Sequence, residues 1–198
     1  MKRWIGQWAS VCWLLCLSLT ACTPDKPAFK SIDITGADYA QGFTLTDAQG
    51  QTRSLRDFKG KVVVVFFGYT QCPDVCPTSL NELAQVRRML GGEADKLQGI
   101  FVTVDPARDT PELLKAYMAN FDASFVALVP TPEQLNALAK DFKIYFKKVD
   151  GPTPTSYTMD HSAGSYIYDA QGRVRLYSRY GAGAAALAED VKTLLAQP

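Results

Sequence analysis

Lys61-Val-Val-Val-Val-Phe-Phe-Gly-Tyr-Thr-Gln-Cys72-Pro-Asp-Val-Cys76-Pro-Thr78 is the stretch whose reading decides the fold. Val62 to Phe67 are consecutive apolar residues, mostly β-branched or aromatic. A short run of that kind is expected to be a strand buried on both faces, inside a sheet covered by helices. Gly68 and the polar residues after it end the strand, and from Ser79 onward the pattern turns helical. A buried strand therefore delivers two thiols, four positions apart, to the start of a helix.

The prolines sharpen this expectation. Cys72 and Cys76 each precede a proline, and a residue before proline is pushed out of the α region. Pro77 suits the first helical position, which would make Cys76 the N-cap. Ser79 and Glu82 have capping-box spacing, so a start two or three residues later is equally consistent. In either case the positive end of the helix dipole is expected to favour the Cys76 thiolate, with the Asp74 charge opposing it.

Outward from this stretch the chain reads as alternating strands and helices. Gly42–Thr46 and Gln51–Leu55, joined by Asp47-Ala-Gln-Gly50, alternate like a β-hairpin. After the buried strand, Ser79–Leu90 carries Leu80, Leu83, Val86 and Leu90 at helical spacing, stopped by Gly91-Gly92. Leu97–Val104 is a second buried strand. Asp109-Thr-Pro-Glu112 starts a helix to about Asn120, with Asp109 as its expected cap. Asp105 and Arg108 are expected to pair and fix the turn before it. Phe125–Val129 is a strand, Thr131-Pro-Glu133 opens a helix to about Phe142, and 143–150 is extended. The Tyr and Phe residues of 142–146 read as core and edge packing. A loop with Pro152 and Pro154 leads to a final hairpin, Ser165–Tyr168 and Val174–Tyr177 around Asp169-Ala-Gln-Gly172, and to a helix, Ala184–Leu195. With no internal repeat or low-complexity tract, this order implies an α/β fold of thioredoxin-like type, a central mixed sheet flanked by helices with an N-terminal β-hairpin.

The 198 residues fit one domain plus an N-terminal extension. Lys2 and Arg3 precede an apolar stretch from about Trp8 to Leu19, shorter than the ~20 residues a spanning helix needs. Residues 1–21 therefore read as a signal peptide. Leu19-Thr-Ala-Cys22 resembles the lipobox of bacterial lipoproteins, in which the cysteine becomes the lipidated N-terminus. An uncleaved signal anchor is the alternative, and both place the globular part outside the cytoplasm on a membrane. Residues 22–36, with Pro24 and Pro27, read as a tether, and 37–198 as the folded domain. The formal charge is +1, and −1 without Lys2 and Arg3, so nothing indicates a nucleic-acid partner. Cys12 and Cys16 leave with the signal and Cys22 is taken by lipid, so Cys72 and Cys76 alone remain in the domain. In an oxidising compartment such a pair forms a disulfide or is held reduced for a purpose.

The single histidine, His161, is expected in a loop before the final hairpin, the loop that faces the cysteine turn in a thioredoxin-like fold. Two thiolates and an imidazole are a soft, three-coordinate set that suits Cu(I) or Cu(II). A structural zinc site or an iron–sulfur cluster would ordinarily want four protein ligands. Met159 is a packing residue with a possible role as fourth ligand. Asp160 either orients the imidazole as an outer acceptor or is solvated.

Gly68–Thr78, Val104-Asp-Pro-Ala-Arg-Asp-Thr-Pro111 and Asp160-His161-Ser162 resemble the three ordered motifs of the SCO/SenC family. The resemblance runs from about Phe43 to Leu195. It implies a membrane-tethered, thioredoxin-fold copper chaperone for the Cu(A) site of cytochrome c oxidase, with Cys72, Cys76 and His161 as ligands and subunit II of the oxidase, or another copper or thiol protein, as partner. Family members are often held by a transmembrane helix, and a lipobox changes the tether but not the site. SCO-like proteins also vary between delivering copper and reducing disulfides, so Cys72 and Cys76 can be read as the redox pair of a thiol–disulfide oxidoreductase. The three residues between them, and the lack of a proline directly before the final hairpin, favour copper. Val75-Cys-Pro-Thr78 is reminiscent of peroxiredoxins, but the residues needed upstream are missing.

Overall fold

The computed structural model describes residues 27–153 and 156–197. The expected signal peptide, Cys22 and the first residues of the tether lie outside them. In chain order the first half comprises β1 (Ile32–Asp33), β2 (Thr44–Asp47), β3 (Thr52–Ser54), β4 (Val62–Gly68), α1 (Val75–Leu90) and β5 (Leu97–Thr103). The second half comprises α2 (Pro111–Ala119), β6 (Val126–Val129), α3 (Pro132–Asp141), β7 (Phe146–Asp150), β8 (Tyr157–His161), β9 (Ser165–Tyr168), β10 (Val174–Ser178) and α4 (Ala184–Leu195).

Eight strands form one mixed sheet in the order β1-β10-β9-β4-β5-β6-β2-β3. β4 and β5 are parallel from Val62↔Leu97 to Gly68↔Thr103, β6 continues the parallel set, and β9 runs antiparallel to β4. All seven residues of β4 and all seven of β5 are buried, as the apolar runs require. Phe66 packs on Phe101 and Gly68 lies under Cys76 of α1, whereas Phe67 meets Phe142 at the end of α3, so both faces of β4 are covered. The architecture is the expected thioredoxin-like one, with the hairpin β2–β3 at one edge.

Two expectations are corrected here. The tether expected over 22–36 is docked at its far end. Ile32 and Asp33 pair with β10, and the Lys30 and Ser31 N–H groups donate to the buried Asp190 carboxylate of α4 at 2.7 and 2.9 Å. His161 is the last residue of a strand and not part of a loop: β7 and β8 form a separate two-stranded sheet in which Phe146 faces His161. The alternation in Tyr157-Thr-Met-Asp-His161 is the strand signal, overshadowed by the prolines just before it.

Candidate metal centre

β4 ends at Gly68, a position where nothing larger fits. A Cβ there would sit 2.7 Å from Cys76 Sγ and 2.9 Å from the Phe66 and Phe101 rings. The chain then turns through buried Tyr69, whose carbonyl accepts from Cys72 N–H. Helix α1 starts at Val75 with Asp74 as N-cap, two or more residues earlier than expected. Cys76 is thus inside the first turn despite preceding Pro77. The helix tolerates this because its first N–H groups have no intrahelical partner, so the missing donor of Pro77 costs nothing.

The two sulfurs are unequal, and in the opposite sense to the expectation. Cys72 Sγ, partly exposed, accepts from Cys76 N–H at 3.4 Å. The Cys76 thiol beside it, aided by His161 and by the Asp74 and Cys76 N–H groups, outweighs burial and brings the Cys72 thiol down to about 4. Cys76 is fully buried, and the neighbouring Cys72 and burial push its thiol well above the ordinary range. The helix N-terminus does favour a thiolate, but it is the one sitting in front of the free N–H groups.

β8 brings His161 to the same point. Its Nε2 lies 3.6 Å from Cys76 Sγ, and its ring stands edge-on to Phe66 and Tyr69, with centroids 6.1 and 5.8 Å away. Nδ1 lies 3.0 Å from the Ser162 carbonyl. A carbonyl only accepts, so Nδ1 donates to it, and Nε2 is left facing the sulfurs. Of the two roles expected for Asp160, the solvated one fits: its side chain is exposed on the other face of β8, and a main-chain carbonyl takes the acceptor's place at the imidazole. Ser162 is held in turn: its N–H donates to the Tyr145 carbonyl and its hydroxyl accepts from Tyr145 N–H, both at 2.9 Å. Met159 is buried in the core cluster. Phe142 is fully buried as expected, but Tyr145 is 56% exposed beside the site.

The donor atoms of Cys72, Cys76 and His161 all lie within 4.8 Å of one another. Two sulfurs and an imidazole converging in this way form a soft donor set able to hold a metal ion.

The segment between β5 and α2 supports the site without contributing a donor. Thr110 caps α2, not Asp109. Asp109 is fully buried and accepts from the Thr70 N–H and hydroxyl and from the Thr103 hydroxyl, which pins the cysteine turn to the end of β5. Burial raises its carboxyl above the ordinary range, and the threonine bonds offset this only in part. Asp105 pairs with Arg108 as expected. The roles of Thr70 and Ser162 have no signature in the sequence, since they depend on which segments lie side by side.

A model of the SCO1/SenC family matches residues 33–196. The chain belongs to that family. An SCO2-like protein of Rickettsia felis is 34% identical over 162 residues, 80% of this chain and 79% of its own length. The structure of Bradyrhizobium japonicum ScoI with copper bound is 40% identical, with a TM-score of 0.70 over 77% of this chain and 97% of that one. An SCO1/SenC family lipoprotein from Bacillus anthracis is 28% identical, with a TM-score of 0.66 over 77% of this chain and 92% of that one. The SCO1/SenC match begins at Asp33, within the docked β1 strand, and ends just past α4.

Proposed function

We propose that this SCO1/SenC protein is a membrane-tethered copper carrier. It holds copper between Cys72, Cys76 and His161 and delivers it to the Cu(A) site of cytochrome c oxidase subunit II or to another copper or thiol protein. The observation that carries the reading is the convergence of the three donor atoms. Copper bound to a relative at 40% identity supports the choice of metal. Residues 1–21 act as the signal peptide, Cys22 carries the lipid, and the domain works on the periplasmic side of a bacterial membrane. A lipoprotein relative supports this tether, and among the described residues no helix is long and apolar enough to cross a membrane.

The chemistry follows from the unequal thiols. Copper is the cargo. Its uptake uses the Cys72 thiolate as it stands and displaces the proton of Cys76. Cys72 is the partly exposed sulfur, so an incoming thiolate of the recipient meets copper on that side, and each Cu–S bond broken is replaced by one formed. When the metal leaves Nε2, the His161 ring stays held by Ser162 through Nδ1.

The test is copper titration of the reduced, tag-free domain. One copper ion is expected to bind. His161→Ala is expected to weaken Cu(II) binding by at least the ~10–100-fold that loss of a mere supporting partner costs, while both thiols remain titratable. Unchanged binding by that variant would rule out the ligand set.

A second reading rests on the two thiols without the imidazole. A partly exposed thiolate with a second thiol behind it is arranged for disulfide exchange. Cys72 would attack a recipient disulfide, Cys76 would displace the mixed disulfide, and the two electrons would leave Cys72–Cys76 oxidised and the recipient reduced. That turnover would survive His161→Ala, which separates the two readings.

A further inference from the structure

Arg108 lies between the two arms that carry the donor atoms and belongs to neither. Its Nη1 donates to the Gln71 side-chain carbonyl, next to Cys72, at 3.0 Å and to the Tyr157 main-chain carbonyl, four residues before His161, at 2.8 Å. Its guanidinium stacks on the Tyr157 ring 3.4 Å from the centroid. Nε pairs with Asp105, whose other oxygen accepts from the Tyr157 hydroxyl at 2.8 Å. The Arg108 side chain is 16% exposed and that of Asp105 4%, so the pair is not a solvated surface bridge. The β7–β8 arm needs such a hold. It is not hydrogen-bonded to the main sheet as a strand, and β7 is largely exposed.

We propose that Arg108 is the positioning residue of the metal centre, fixing the distance between the cysteine turn and the histidine strand by bonding to both. One planar guanidinium spans the two carbonyls, the carboxylate and the ring at once, which an ammonium cannot do. Asp109 anchors the cysteine turn and Arg108 anchors the histidine strand, so the β5–α2 segment sets the geometry of a site to which it gives no donor. The proposal rests on the ligand assignment above.

The experiment compares Arg108→Gln and Arg108→Lys with the parent, each also in the His161→Ala background. Arg108→Gln is expected to weaken Cu(II) binding ~10–100-fold and to change the Cu(II) absorption and electron-paramagnetic spectra toward those of His161→Ala. Arg108→Lys keeps the charge beside Asp105 but loses the span, and is expected to lose affinity similarly while remaining as heat-stable as the parent. In the His161→Ala background neither change should alter affinity by more than about twofold, because the arm then carries no donor. In the metal-free protein, hydrogen exchange of the amides of 157–161 is expected to speed up in both variants.

Parental affinity and spectra in Arg108→Lys, or equal losses with and without His161, would overturn the proposal. If Arg108→Gln fails to fold, Gln71→Ala removes one end of the bridge at an exposed side chain, and unchanged Cu(II) binding there counts against it. If the parent itself binds no copper, the carrier reading fails, and the exchange rates alone decide whether Arg108 holds the arm.

Discussion

Cys72 and Cys76 have the same side chain and opposite surroundings. One sulfur sits at the rim before free helix N–H groups, and the other is packed against Gly68 beneath the sheet's aromatic residues. Alkylation by iodoacetamide is therefore expected at Cys72 first. Its rate should already be near its plateau at pH 6, since the thiolate forms as pH rises through about 4, and Cys76 should react only on unfolding. Mass mapping of a pH series checks this, and an ordinary thiol profile at Cys72 would contradict it. The residue types of this site were legible in the chain: two thiols at a helix start and a lone imidazole. The states of the two sulfurs were not, because the sign depends on which of them the N–H groups reach. Asp109 was misread as a cap for the same reason. A carboxylate three residues before a glutamate caps a helix in isolation, but here burial beside Thr70 and Thr103 gives it other donors.

Elements with strong local chemistry formed where the pattern put them, and the two hairpin turns show why. Asp47-Ala-Gln-Gly50 and Asp169-Ala-Gln-Gly172 fold alike: each aspartate accepts from two N–H groups of its turn and from the Nε of Arg53 or Arg173, and each glycine has φ near 80°. Only glycine takes that conformation freely, so the turn is written into four residues. Burial raises the Asp47 carboxyl, but Arg53 and the Gln51 and Gln49 N–H groups outweigh it and hold it below the usual 3.8. Asp47→Ala is expected to cost roughly 2 kcal/mol at pH 7. A carboxyl lowered on folding stabilises above its unfolded pKa. The gap between parent and variant should therefore be full at neutral pH and close as pH falls below 3.8 toward the lower folded value. Urea unfolding at pH 7 and pH 3 measures it, and a gap that widens in acid would refute the assignment. β8 and the early start of α1 were missed because neither is decided locally. Prolines discouraged both, and pairing with β7 and free N–H groups at the first turn overruled them.

At the scale of the molecule, the chain enters at the edge of the sheet and is fastened to its last helix. β1 lies against β10, and Asp190, 1% exposed, holds the Lys30 and Ser31 amides. Asp190→Ala is expected to release this strap and make the 27–35 segment an early trypsin target at Lys30, while the Cys72–Cys76–His161 site stays intact. Limited proteolysis with copper titration checks both parts, and parental resistance at Lys30 would show that the strap does not depend on Asp190. The sequence by itself determined the buried strand, the helix that follows it, the alternation that makes the sheet mixed, and the turns, because apolar periodicity and Asp–Gly turn chemistry act over a few residues. Only the tertiary structure decided which thiol is ionised, that His161 rides on a paired strand, and that Arg108 and Asp109 brace the site. The bracing contacts of Arg108 and Asp109 join residues 37 to 49 positions apart, and the thiol states, though set between near neighbours, turn on burial and on which sulfur the N–H groups reach, which local pattern does not fix.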